Sequence, residues 1–490
     1  MVSAFDKKGD LNQVSGLRIL SFPERFLWGA ATSHFQVEGH PLEIDGRISD
    51  WSEWTRQEGR IFDQTSADRA CEFHLRYRSD IDLCKSLHLN AFRLSLNWPA
   101  LCPTQPDNAG PIVLERPVVD YYRRLLSELK EEGITSFVTL FHFTLPKWLA
   151  DQGGWNNART GYEFSRFAQA AAREFGGLVD YWITINEPLA YAYQGYIAGV
   201  WPPGKSGDFA GAFSCIRGML EGHALAANEL HEHNAAVPVS YTHHWRPFKA
   251  KNPFNPMDQL VRYFRDSIFN QLFPRAVQTG VLEFPFPLGA NPEVKSISGR
   301  IPYLKDSIDY LAVNYYTREL SRYVFSRPLD FFGEQSLEHE LETSGLSWEV
   351  YPDGLYYLLT CDLSPYRYNS KGKERPIIVT ENGYASLFSA ELTEGDWSLH
   401  DHKRVNYLIS HLMAVHRAIE EGANVKGYLH WSLLDNFEWA EGLRARFGLV
   451  RVAYPTQERT LRRSAQVYAE IARTNAVDPA EHLRDDHSAG

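Results

Sequence analysis

The stretch Pro376-Ile377-Ile378-Val379-Thr380-Glu381-Asn382-Gly383 sets the reading of this 490-residue chain. Ile377, Ile378 and Val379 form an unbroken apolar, β-branched run, which predicts a strand buried on both faces, as parallel sheets require. Asn382-Gly383 predicts a turn, since Gly tolerates turn geometry at little steric cost. Glu381 then stands at the carboxyl end of a buried strand, a costly place for a charge without a partner or a task. A second segment has the same form: Tyr181-Trp182-Ile183-Thr184-Ile185 runs into Asn186-Glu187-Pro188. Two strand-end carboxylates are the elements of general acid/base and nucleophilic chemistry at a sugar carbon.

Outward from these segments, strand-like and helix-like stretches alternate. The strand candidates are Phe26–Ala30, Asn90–Leu96, Ile134–Phe141, Val179–Ile185, Val237–Tyr241, Ile308–Asn314, Pro376–Val379 and Val425–Trp431. Helical patterns cover 67–88, Val118–Glu132, Tyr162–Phe175 and Asp401–Glu421; in the second of these Tyr122, Leu125, Leu126 and Leu129 fall on one face. Eight strands separated by helical stretches predict an α/β fold, a single-domain (β/α)8 TIM barrel. Residues 243–305 and 318–350 predict long irregular loops over its C-terminal face. Residues 1–20 read as a loosely held leader, 21–474 as the barrel, and 475–490 as a polar, frayed tail.

Composition narrows the partners. A net charge of −11 argues against nucleic acid, which needs clustered Lys and Arg. Five cysteines without a CxxC fit reduced thiols. The first twenty residues lack an apolar h-region, and no apolar run of about 18 residues predicts a membrane span. The expectation is a cytoplasmic protein. Aromatic residues make up 13%, a high share; most read as core packing, with some surplus expected at a carbohydrate site because flat rings suit the C–H faces of sugars.

Two other chemistries have formal hits. Gly199 to Ser206 fits the phosphate-loop pattern, but Pro202 and Pro203 remove donors from the cradle and no strand precedes it. It reads as an ordinary loop. Eighteen histidines include His243-His244 and a strand-end His142, yet no HExxH or closed Cys/His set accompanies them. No metal is expected. A lone strand-end Glu is as often a structural ion-pair member as a catalyst. Here Asn186, Arg93 and Asn314-Tyr315-Tyr316 also end strands, and a barrel would bring them all to one mouth.

These residues resemble glycoside hydrolase family 1, the β-glucosidase and β-galactosidase family, over about residues 22–465. FLWGAATSHFQVEG (26–39), TINEP (184–188), NYYT (314–317), IIVTENG (377–383) and WSLLDNFEWAEGLRARFGLV (431–450) carry the likeness. The resemblance implies a retaining exo-β-glycosidase with Glu187 as acid/base and Glu381 as nucleophile, without a cofactor. By the same likeness Gln36, His142, Asn186, Glu438 and Trp439 bond the sugar hydroxyls and Trp431 forms the apolar floor. Arg93, Asn314 and Tyr316 surround the nucleophile, Trp348 lines the aglycone entrance, and Phe447 belongs to the substrate-binding set. Arg93 is expected to keep Glu381 ionised, and the charged Glu381 to raise Glu187.

The expected partners are small β-glycosides or short oligosaccharides. Phe143-Thr144 replaces the family's usual Trp-Asp, and Leu189 stands where an aglycone-facing Trp is frequent. Glu438 argues against a sugar 6-phosphate, which a carboxylate would repel. A transglycosidase using the same intermediate, and a non-catalytic sugar- or protein-binding relative, remain the alternatives.

Overall fold

A computed structural model of the chain describes residues 18–39, 49–106, 110–327, 333–338, 341–388 and 397–482. Eight strands close into one parallel barrel. They are β1 Leu27–Ala31, β2 Ala91–Ser95, β3 Thr135–Phe141, β4 Tyr181–Asn186, β5 Val239–Trp245, β6 Leu311–Tyr315, β7 Ile377–Asn382 and β8 Val425–Trp431. The helices following each strand are α1 Phe73–Ser86, α2 Arg116–Glu131, α3 Ala158–Phe175, α4 Phe209–Asn234, α5 Leu272–Thr279, α6 Pro352–Tyr357, α7 Trp397–Glu420 and α8 Arg463–Thr474. All eight expected strands are present, and the barrel expectation holds.

The period-2 geometry of a strand explains how the barrel becomes a site. Ala91, Phe137, Ala312, Ile378 and Leu429 pack together as an apolar plug. Two residues further along each strand, on the same face, stand Arg93, Thr139, Asn314, Thr380 and Trp431. The plug thus supports a polar layer one step nearer the C-terminal mouth.

Both strands that end in the key carboxylates carry an extra residue just before them. Against β6, β7 pairs Val313 with Val379 but Asn314 with Glu381, skipping Thr380. Against β5, β4 pairs Ile183 with Ser240 but Asn186 with Thr242. Such bulges re-aim the side chains that follow them. Glu187 also lies in the left-handed region at φ 43°, its N–H bonded to the Thr242 carbonyl at 2.9 Å.

Several expectations need correction. Gly383 is not required for a left-handed turn: a Cβ there would stand 1.9 Å from the Trp431 carbonyl oxygen, so close approach excludes a side chain. α1 starts at Phe73 rather than 67. The segment 243–305 is not mainly irregular; it holds a helix at Pro256–Asp266 as well as α5. α4, 26 residues long, has no counterpart among the sequence expectations, because its Ala- and Gly-rich face packs closely on α3 without a clean apolar stripe. Gly199–Ser206 follows a π-turn at Tyr193–Ala198 and is a loop, as expected.

The ends of the chain are also tied. Leu20–Ser21 pairs antiparallel with Ala476–Val477, so neither the leader's last residues nor the tail's first ones are loose. Residues 1–17 and 483–490 lie outside the described residues. Asn475 caps α8 at φ 52°, accepts from Trp28 Nε1 at 2.9 Å, and donates to the carbonyls of Phe22 and Pro23 at 2.9 and 3.1 Å.

Asn475→Ala removes those three bonds and places a Cβ residue without side-chain compensation in left-handed backbone. We expect a loss of about 2–4 kcal/mol, read as a melting temperature lowered by several degrees with turnover at 25 °C retained. An unchanged melting temperature would show that the terminal clasp contributes nothing.

Candidate active site

Arg93, wholly buried on β2, is the centre of the polar layer. Its Nη1 pairs with Glu381 Oε1, its Nη2 donates to Asn186 Oδ1 at 2.6 Å, and its Nε donates to Thr139 Oγ1 at 3.2 Å. Tyr316 Oη donates to the other Glu381 oxygen at 2.7 Å. Asn314 Nδ2 donates to Glu187 Oε1 at 2.7 Å and lies 3.3 Å from Asn186 Oδ1. A continuous chain of donors therefore joins the two carboxylates. Asn314, expected beside Glu381, is its register partner across β6 and β7; its side-chain nitrogen serves Glu187, while its oxygen accepts from Thr380 Oγ1 at 2.8 Å.

Glu187 and Glu381 line the same cavity, of about 540 Å³, together with His142, Asn186, Tyr316, Trp348, Trp431, Glu438, Trp439 and Phe447. Gln36, Arg93 and Asn314 are buried with no exposed surface. Gln36 reaches the site through Glu438, its Nε2 donating to Oε2 at 3.2 Å and to Asn436 Oδ1 at 3.2 Å. His142 stacks near Trp431 and Trp439, each with ring centroids 6.0 Å away. Trp348 packs against Tyr316 and Phe447 at 5.4 and 6.3 Å, which puts it on the Glu381 side of the cavity.

The tautomer of His142 follows from its neighbours. Burial, then Arg93, holds its pKa well below the usual value, so the ring is neutral. Asn186 Oδ1 is occupied by donors, so Nδ2 is the amide nitrogen and donates to His142 Nε2 at 3.2 Å. The proton is therefore on Nδ1, which is buried and has no protein partner among the described residues.

The proton balance departs from the sequence expectation. Burial pushes Glu381 up to about 7, outweighing the pull of Arg93 and Tyr316. Burial also opposes ionisation of Glu187, but the nearby His244, the Asn314 bond and Arg93 outweigh it and hold that carboxyl below its ordinary value. His244 Nδ1 stands 3.4 Å from Glu187 Oε2 and favours the charged form of that carboxyl. Two interacting carboxyls titrate as a unit, so the pair retains one shared proton up to about neutral pH. Glu438 is raised to about 8 by burial and by Glu381.

His244 is the functional neighbour that sequence reasoning misses. The fifth strand, expected to end at Tyr241, continues to Trp245 and carries His244 to the mouth. A pair of histidines directly after a predicted strand is the available signal, and weighing it against metal binding alone overlooks it. Phe143, where the family usually has Trp, packs on Trp439 and Trp201 at 5.2 and 4.8 Å and offers no donor. Leu189 lines the cavity beside Glu187.

Comparison with known proteins agrees with this architecture. The profile of "Glycosyl hydrolase family 1" matches residues 19–477. Beta-glucosidase A of Thermotoga maritima is 31% identical over 470 residues, covering 94% of this chain and 100% of the relative. Beta-glucosidase 42 of Arabidopsis thaliana is 32% identical over 471 residues, covering 89% and 90%. The solved structure of the family 1 β-glucosidase from Thermotoga maritima superposes with a TM-score of 0.83 at 29% identity, covering 94% and 100%. The same enzyme in complex with castanospermine superposes with a TM-score of 0.82 at 29% identity, covering 94% and 99%. With the matching barrel, motifs and full-length similarity in place, this chain belongs to glycosyl hydrolase family 1.

Proposed function

We propose that the protein is a retaining exo-β-glycosidase that releases terminal β-glucosyl residues, with β-galactosides and β-fucosides as further substrates. The observation that carries this reading is the pair Glu187 and Glu381, both buried, facing one cavity and joined through Arg93, Asn186 and Asn314. The names of the relatives support the glucoside assignment. Its place in the cell is the cytoplasm, a reading supported by five free cysteines, four of them buried. Among the described residues no helix is long and apolar enough to cross a membrane.

The productive form of the pair has the charge on Glu381 and the proton on Glu187. A glycosidic oxygen that accepts from Glu187 and an anomeric carbon that gains positive charge beside Glu381 both favour that form in the transition state. Glu381 attacks the anomeric carbon as Glu187 gives its proton to the departing oxygen. Arg93 and Tyr316 hold the attacking carboxylate in place. Once Glu381 is esterified its charge is gone, and Glu187 takes a proton from the incoming water. His142 and the Glu438–Gln36 pair bind ring hydroxyls, and Trp431 covers an apolar sugar face. Glu438, raised to about 8, is largely protonated at neutral pH and is able to donate as well as accept.

A 2-deoxy-2-fluoro-β-glucoside should leave a covalent adduct on the peptide containing Glu381, detected by mass spectrometry. Glu381→Gly should cut turnover by about 10⁴-fold or more, and an intact variant that still hydrolyses glucosides would overturn the assignment. Glu187→Ala should slow poor leaving groups by about 10²–10⁴-fold while activated aryl glucosides still react, with azide restoring turnover as the β-glycosyl azide. Equal losses for all leaving groups would contradict the acid role.

The pH profile of kcat/KM follows from the same pair. Activity needs one charge and one proton, so it rises as the first carboxyl ionises and falls as pH passes the upper value, raised to about 7. Glu187→Ala should flatten the alkaline fall on an activated substrate, whereas Glu438→Gln should preserve it. An alkaline limb that survives loss of Glu187 would assign the proton elsewhere.

A further inference from the structure

Past Glu187 the cavity wall turns basic. Arg246 lies two residues beyond His244, just after β5, and Asn270 clamps its backbone from both sides. The Arg246 N–H donates to Asn270 Oδ1 at 3.0 Å, and Asn270 Nδ2 donates to the Arg246 carbonyl at 2.8 Å. Arg265, from the helix Pro256–Asp266, stands beside it. Both guanidiniums share one carboxylate: Arg246 Nη1 is 3.5 Å from Glu319 Oε2, and Arg265 Nη1 pairs with Oε1. The three side chains are 20%, 14% and 4% exposed, and all three line the cavity.

Aromatic rings accompany the cations. Phe269 meets His244 edge-on at 5.5 Å and Phe248 at 6.0 Å. The Arg246 guanidinium lies 6.0 Å from the Phe269 ring and that of Arg265 lies 5.7 Å from the Phe248 ring. Asp266, the next acid nearby, accepts from Asn270 and is faced by Arg262 and Arg275. Two guanidiniums against one carboxylate leave a surplus positive charge in a largely dry wall. Further out the ratio recurs, with Arg322 and Arg327 sharing Glu334. A cation taken from water without a full counter-charge is costly, and a ligand that supplies the missing anion recovers that cost. The Arg246 Nε–H is buried without an acceptor among the described residues.

We propose that the leaving-group side of this cavity is a subsite for aglycones bearing a carboxylate on an aromatic body, with Arg246 as its counter-charge and Phe248 and Phe269 as the apolar wall. The proposal rests on the glycosidase reading above for the direction in which the substrate lies. Guanidinium geometry matches a carboxylate, and the adjacent rings match the aromatic body.

The test compares 4-nitrophenyl with 3-carboxy-4-nitrophenyl β-glucoside on the full chain, the quantity read being the ratio of their kcat/KM values. We expect a ratio of about ten in favour of the carboxylate. Arg246→Gln should bring the ratio to about one whatever the absolute rates, and Glu319→Gln should increase it. A ratio near one in the unaltered protein, or one that Arg246→Gln leaves intact, overturns the proposal. Calorimetric titration with benzoate and benzyl alcohol separates this site from the glycosidase reading, because it needs no turnover. Benzoate should bind at least tenfold more tightly than benzyl alcohol, and equal affinities overturn the subsite even if both glucosides are hydrolysed. Benzoate selectivity in a protein that hydrolyses neither glucoside would instead sink the glycosidase reading.

Discussion

A guanidinium with no exposed surface holds this active site together. Arg93 lies inside the barrel, where an unpaired charge would be expensive, and its partners come from three other strands: Thr139 on β3, Asn186 on β4 and Glu381 on β7. Each partner satisfies part of the cation, and the cation in turn fixes each partner. Removing any one of them would leave buried charge or donors exposed to an apolar neighbourhood. The same bonds that make the interior tolerable therefore also position the two carboxylates relative to one another.

Strand geometry supplies the rest. The apolar plug of Ala91, Phe137, Ala312, Ile378 and Leu429 fixes which side chains point inward, and the polar layer follows two residues later. Had β4 and β7 continued in regular register, Thr380 rather than Glu381 would stand opposite Asn314. The extra residue in each strand turns a regular barrel into one with converging carboxylates. Glu187 bears left-handed backbone besides, as residues at functional sites frequently do.

Much of this is legible in the residues. Unbroken apolar runs such as Ile377–Val379 announce two-sided burial, and eight strand-like runs between helical stretches leave few folds open. Glu187 and Glu381 stand out because each ends such a run. The bulges are hidden, since an inserted residue has no signature of its own until the neighbouring strand supplies the register. α4 is hidden for a related reason: small residues that permit close helix packing weaken the apolar periodicity. His244 is lost with the last residues of β5, and with it the proton balance. Arg93 is correctly expected near Glu381, yet its charge alone does not decide the ionisation of a pair that burial and a histidine also act upon.

In the proposed mechanism Glu381 attacks the anomeric carbon and water then displaces it, so substitution occurs twice, whereas two carboxylates serving as acid and base would displace once. Proton NMR of an aryl β-glucoside turning over in D2O, sampled before mutarotation, tests this most directly. A double displacement predicts that β-glucose appears first and drifts to the equilibrium mixture. If α-glucose were the first product, a single displacement by water would be required, and Glu381 could not be the nucleophile nor Glu187 its acid/base partner.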